Sequence, residues 1–222
     1  MKSYGLFDIL GPVMIGPSSS HTAGAVRLGK IGMQIADKGF NEVDFLLHGS
    51  FATTYKGHGS DKALVAGLLD MDPADPRIKE SFELAKKAGI KYNFIPTDLG
   101  NVHPNTVKMV FKYDDKKPYY VTGSSIGGGS IIVTDINGVL VEFTGNSSTI
   151  ILSYSDRKGV VHEVSTILIN HGINIATMKV SRVDDIATMI CELDVAMTDD
   201  VMDEIKSLQD INYIKLINPM VR

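Results

Sequence analysis

Val180-Ser181-Arg182-Val183-Asp184-Asp185-Ile186-Ala187-Thr188-Met189-Ile190-Cys191 decides how the last third of the chain folds. Two β-rich runs, Ile173 to Val183 and Ile186 to Val195, meet at a pair of aspartates, which predicts a hairpin. Upstream, Lys158 to His171 places Val160, Val161, Val164, Ile167 and Leu168 on one helical face, and Gly172 follows as a stop. Before that helix, Ser148 to Ser153 is rich in β-branched residues. Downstream, Thr198 is placed to cap a short helix through Leu208. Asp199, Asp200 and Asp203 in its first turns suit the positive end of the helix dipole. Ile211 to Ile217 reads as the last strand. The order β-α-β-β-α-β is that of a split, ferredoxin-like unit.

The chain before this unit reads as a different, mixed α/β domain. Gly145-Asn146-Ser147-Ser148 is small and polar, which places the boundary between 1–146 and 147–222. Ser20 to Lys38 is predicted helical from the spacing of Ala25, Leu28, Ile31 and Ile35, and Glu42 to Leu47 is an apolar strand. A helix over Ser60 to Leu69 opens with Ser60-Asp61. After the turn cluster Asp72 to Pro76, a further helix covers Arg77 to Ala88. Strands follow at Lys91–Ile95, Thr106–Tyr113, Tyr119–Gly123, Ser130–Ile136 and Val139–Phe143, the last two joined by the hairpin signal Asn137-Gly138. The fold class is α/β (α+β).

Bulk composition narrows the function. With 44% hydrophobic and 22% charged residues, the 222-residue chain has the make-up of a soluble globular protein. A formal charge of −4 argues against a general nucleic-acid binder. Met1 to Asp8 has no signal-peptide core, and no apolar run reaches the ~18 residues of a spanning helix, so the chain reads as cytoplasmic with no membrane partner. Cys191, the single cysteine, rules out an intrachain disulfide framework or a multi-thiolate site from this chain alone.

Four stretches gather polar residues that a fold does not require. In Gly16-Pro17-Ser18-Ser19-Ser20-His21-Thr22-Ala23-Gly24, three serines, a histidine and a threonine precede a helix. A helix start offers unpaired N–H groups and partial positive charge, so an anion is gripped there beside a titratable imidazole. A plain cap by Ser19 or Ser20 is the simpler reading. In Lys56-Gly57-His58-Gly59-Ser60-Asp61, glycines on both sides free the backbone around His58, while an ordinary loop capping the next helix fits equally. In His103-Pro104-Asn105, His103 and Asn105 serve either a ligand or a turn. Gly123-Ser124-Ser125-Ile126-Gly127-Gly128-Gly129 is neither a Walker loop nor a dinucleotide fingerprint, and reads as a turn or a close approach of backbone or ligand. Zinc held by His21, His58 and His103 is a further possibility, but the spacing is irregular. A Ser-His-Asp hydrolase lacks its nucleophile elbow. His48, His162 and His171 read as structural.

These four stretches, in this order, resemble the beta subunit of the iron–sulfur-dependent L-serine dehydratases. Asp156-Arg157-Lys158-Gly159-Val160-Val161 through Asn170-His171-Gly172-Ile173-Asn174-Ile175-Ala176 resembles an ACT domain, a ferredoxin-like module that commonly binds amino acids. The first domain also resembles the allosteric substrate-binding domain of some D-3-phosphoglycerate dehydrogenases, where an anion is bound without chemistry. The resemblance implies an L-serine ammonia-lyase that makes pyruvate and ammonia. It also implies a 4Fe-4S cluster whose cysteines belong to an alpha subunit, and an active site where the subunits meet. On that footing His21 or His58 is the catalytic base. Ser18, Ser19, Ser20 and Thr22, with His103 and Asn105, bind substrate. Asn170, Gly172, Ile173 and Asn174 bind an amino-acid effector near a contact between ACT domains. This chain itself ligates no metal. A non-catalytic regulatory subunit is the alternative.

Overall fold

The computed structural model describes residues 13–220. The reading of Met1 to Asp8 lies outside them. The chain forms two compact units, one up to Asn137 and one from Gly138. Among the described residues, no helix is long and apolar enough to cross a membrane.

The first unit is built on a sheet with helices packed against it. Strands β1 (Glu42–Leu47), β2 (Lys91–Pro96), β3 (Thr106–Lys112), β4 (Tyr119–Gly127) and β5 (Ser130–Ile136) take the order β2-β1-β3-β4-β5. β1 and β2 are parallel; β3 runs antiparallel to β1, β4 to β3 and β5 to β4. Alternation in β1 explains its two faces. Val43, Phe45 and Leu47 are fully buried, while Glu42 and Asp44 face Lys112 at 2.7 and 2.8 Å.

Helix α1 (Gly24–Ile35) buries Ala25, Leu28, Ile31 and Ile35, the positions its periodicity marks. It crosses α3 (Ser60–Leu68) at two glycines. A Cβ on Gly67 would lie 2.6 Å from the Lys30 amide nitrogen and 2.8 Å from Gly29 Cα, so the helices approach to backbone contact.

The second unit confirms the hairpin reading. β7 (Ser148–Ser155), α5 (Val160–Asn170), β8 (Ile175–Val183), β9 (Ile186–Leu193), α6 (Asp199–Lys206) and β10 (Ile211–Ile217) form an antiparallel sheet of order β10-β7-β9-β8. Asp184, at φ 51°, makes the β8–β9 turn. Leu152, Tyr154, Val164, Leu168, Met189, Cys191 and Ile205 fill the core under the two helices.

Several elements differ from the sequence expectations. A turn of π-helix over Ser19–Ala23 leads into α1, which ends at Ile35 rather than Lys38. Gly49–His58, where the sequence pattern marks no element and His58 is read in a loop, is helix α2. Its glycines and paired threonines disfavour helix locally. Tertiary contacts override them: Phe51 is fully buried, and the Pro104 carbonyl accepts the Ser50 and Phe51 amides at 2.8 and 3.4 Å. Only Gly59, at φ 71°, supplies the expected sharp bend, between α2 and α3. The helix expected over Arg77–Ala88 is a 3₁₀ turn (Pro76–Glu80) followed by α4 (Ser81–Lys87). β4 continues through Ser124 and Ser125, leaving the turn to Gly128-Gly129. Thr198 stands at the start of α6 without a side-chain cap to its backbone. Within the second unit, β6 (Val139–Phe143) joins β8 through Ser181 Oγ, which donates to the Leu140 carbonyl at 3.1 Å, and Lys179, which meets Glu142 at 3.4 Å.

Candidate active site

Ser18, not Ser19 or Ser20, caps the turn that opens α1. Its extended backbone puts Oγ in line to accept the His21 amide at 3.2 Å. The same oxygen lies 3.4 Å from His21 Nδ1. On the other side of the ring, Nε2 meets Ser50 Oγ at 3.1 Å. The His21 ring thus spans from the Ser18 turn to the first turn of α2. Phe51 packs edge-on against it at 5.3 Å.

His58, at the last turn of α2, stacks on His21 with ring centroids 4.7 Å apart and planes tilted by 31°. Two motifs distant in sequence therefore meet ring to ring. Burial, and then the charge of His58, hold the His21 imidazole below its ordinary value of 6.5. Both effects favour the neutral form of His21. His58 is exposed, and its Nδ1 lies 3.4 Å from the Thr54 carbonyl. A carbonyl only accepts, so in that contact Nδ1 is the donor.

The other motifs border this pair. The Asn105 carbonyl accepts the Ser125 amide at 3.0 Å, and Pro104 holds the start of α2. A Cβ on Gly24 would run into the Ser125 side chain, 2.8 Å from its Cβ, so glycine is what lets α1 sit on β4 there. Thr22 Oγ1, Ser60 Oγ, Asn105 Oδ1 and Ser125 Oγ are buried without a hydrogen-bond partner among the described residues. An unmet buried polar atom costs about 1–3 kcal/mol, so such a group marks a place where a ligand or water completes the structure.

Ser18 and His58 each contact His21, and Asn105 is tied to β4 through its carbonyl. Ser19 and Ser20 lie half-buried in the turn, where the Ser19 carbonyl accepts the Gly24 amide. His103 is exposed; its Nδ1 accepts the Asn105 amide at 3.1 Å, a turn-stabilising contact. Sequence reasoning missed Ser50, Phe51 and Thr54. The signal was Gly49, whose φ of 54° and close contact with Pro104 are read only from the fold. His48, at the end of β1, accepts the Leu99 amide at 3.1 Å.

In the second unit, Gly172 takes φ 68° after α5, and Asn174 donates to Asp194 at 2.6 Å. Ile173 is buried in the core, so its side chain is not offered to a ligand. A surface hollow of 390 Å³ beside β2, lined by Phe82, Glu83, Lys86 and Tyr92 among others, contains none of the residues discussed above.

Among the described residues no group of three or more histidine, cysteine or acidic side chains is placed to hold an ion, so His21, His58 and His103 do not gather as the zinc reading requires. Cys191 lies in the second unit's core, and burial pushes its thiol up to about 12, far from a ligating thiolate.

Residues 5–93 match the family model described as serine dehydratase beta chain, and residues 148–210 match the ACT domain model. The chain is 45% identical to the L-serine dehydratase beta chain of Peptoniphilus asaccharolyticus, over 98% of this chain and 99% of that one. It is 31% identical to L-serine dehydratase 1 of Escherichia coli (strain K12), over 69% of this chain but 40% of that one. It is 28% identical to the D-3-phosphoglycerate dehydrogenase of Methanocaldococcus jannaschii, over 87% of this chain and 37% of that one. The chain belongs to the L-serine dehydratase beta chain family, with a C-terminal ACT domain.

Proposed function

We propose that this chain is the beta half of a cytoplasmic L-serine ammonia-lyase, that an alpha subunit completes its active site, and that His58 is the base. The observation that carries this is the contact of His58 Nδ1 with the Thr54 carbonyl at 3.4 Å, which leaves Nε2 of the exposed ring as the nitrogen to take a proton, stacked on His21 of the serine-rich turn.

The substrate carboxylate meets the hydroxyls of Ser18, Ser19, Ser20 and Thr22 at the start of the helix, where N–H groups and the dipole favour an anion. Asn105 Oδ1, unpartnered and buried at the edge of the site, accepts from the substrate ammonium. His103 is placed at the rim. His58 Nε2 takes the α-proton, and the pair of electrons it leaves expels the β-hydroxyl. The resulting 2-aminoacrylate tautomerises to the imine, and water hydrolyses that to pyruvate and ammonia. The atoms balance as L-serine to pyruvate plus ammonia. His21, kept neutral beside His58, leaves room for the positive charge that His58 acquires.

The 4Fe-4S cluster implied by the resemblance finds no ligand set in this chain, so its cysteines belong to the alpha subunit. The length of the Escherichia coli relative, which extends well beyond the matched region, supports a missing alpha part. In the same proposal, Asn170, Gly172, Ile173 and Asn174 form the effector turn and a contact between ACT domains, with Ile173 contributing backbone. Size-exclusion chromatography with and without L-serine tests that contact, and a monomer at every concentration contradicts it.

The catalytic assignment is tested by His58→Ala in the assembled enzyme. The expected loss in kcat is about 10²–10⁴-fold, with the chain still binding its partner. Near-normal turnover removes His58 as base. The likeness to D-3-phosphoglycerate dehydrogenase supports a second reading, a sensor without chemistry. In that case His58→Ala leaves turnover intact.

A further inference from the structure

We propose that Ser50 is a positioning residue for the reaction: its hydroxyl anchors His21 Nε2 and so holds the His21 ring stacked behind the base, His58. This rests on the catalytic reading of His58 given above.

The His21 ring is tied at both nitrogens. Ser18 Oγ accepts the His21 amide and lies 3.4 Å from Nδ1. Ser50 Oγ lies 3.1 Å from Nε2, and because a hydroxyl both donates and accepts, it partners Nε2 in either tautomer of the ring. Ser50 is itself held from both sides. Its amide is bound by the Pro104 carbonyl at 2.8 Å, and its carbonyl accepts Thr53 Oγ1 and Thr54 Oγ1 at 3.2 and 2.7 Å. Gly49 takes φ 54° just before it, and a Cβ there would lie 2.7 Å from the Pro104 oxygen. The backbone of Ser50 therefore has one available position.

Ser50, Thr54 and His58 follow one another at intervals of four residues, which places them on one face of α2. That face carries the anchor for His21, the carbonyl that meets His58 Nδ1, and His58 itself. A rigid helix face of this kind keeps a base within the tolerance that proton transfer demands. Without the Ser50 oxygen, His21 is released on its Nε2 side and the stack at 4.7 Å loses one of its two polar tethers.

The test uses the assembled two-chain enzyme and compares L-serine with α-deuterated L-serine. For Ser50→Ala the expected result is a fall in kcat of about tenfold or more, with KM within about twofold. The deuterium isotope effect on kcat should exceed that of the wild-type enzyme, because a misplaced base makes proton removal slower. Ser50→Thr, which keeps the hydroxyl, should restore both values. Ser50→Cys, near in size but a weak acceptor, should behave as Ser50→Ala and serves if the alanine variant does not fold. Unchanged kcat, or a fall in kcat with an unchanged isotope effect, overturns the role of Ser50. Turnover retained by His58→Ala in the same assay overturns the catalytic reading instead, so the two failures are distinguishable.

Discussion

At the residue scale, the centre of this site is a pair of histidines in unlike states. His21 is half-buried and tied through both ring nitrogens; His58 is exposed and tied through one. The like charge of His58 adds to burial in lowering the His21 pKa. Replacing His58 with glutamine removes the charge and leaves the burial. His21 should then titrate at a higher pH than in the wild type but still below 6.5. Histidine NMR of the labelled chain reads this directly, and a shift downward on His58→Gln contradicts the pairing. The sequence marked the serine-rich turn around His21 as exceeding a cap, left the loop around His58 even with an ordinary loop, and named either histidine as base only through the resemblance. What it did not show is the contact of Thr54 with His58, which exists only once residues 49–58 coil into a helix.

At the scale of elements, helix α2 is the feature that sequence patterns concealed. Residues 49–58 hold two glycines, two threonines and one deeply buried apolar residue, so local propensity points away from helix. The helix forms because the Pro104 carbonyl supplies its first-turn acceptor and Phe51 enters the core. By contrast, α1 and the hairpin around Asp184-Asp185 were readable, since their periodicity and turn chemistry are local. The glycine contact between α1 and α3 sets where the serine-rich turn stands relative to Gly59. Gly67→Val places branched carbons against the backbone of Val26 and Gly29. It should cost about 1–3 kcal/mol, read as a fall of about 2–4 °C in the thermal midpoint per kcal/mol for a chain of this size. A midpoint equal to that of the wild type contradicts the close crossing.

At the scale of the whole molecule, the chain brings the serine-rich turn, His58 and orphaned polar atoms into one unit, and its single cysteine lies buried in the other. Burial raises the Cys191 thiol to about 12. Thiol reagents should leave Cys191 unmodified in the folded chain and modify it after denaturation; rapid labelling under native conditions contradicts its core position. The central claim is that this chain is half of a deaminating site. Anaerobic reconstitution tests it most directly, with pyruvate formation from L-serine followed for the alpha partner alone, this chain alone, and the two mixed. The account predicts pyruvate only from the mixture, and full activity from the alpha partner alone would contradict it.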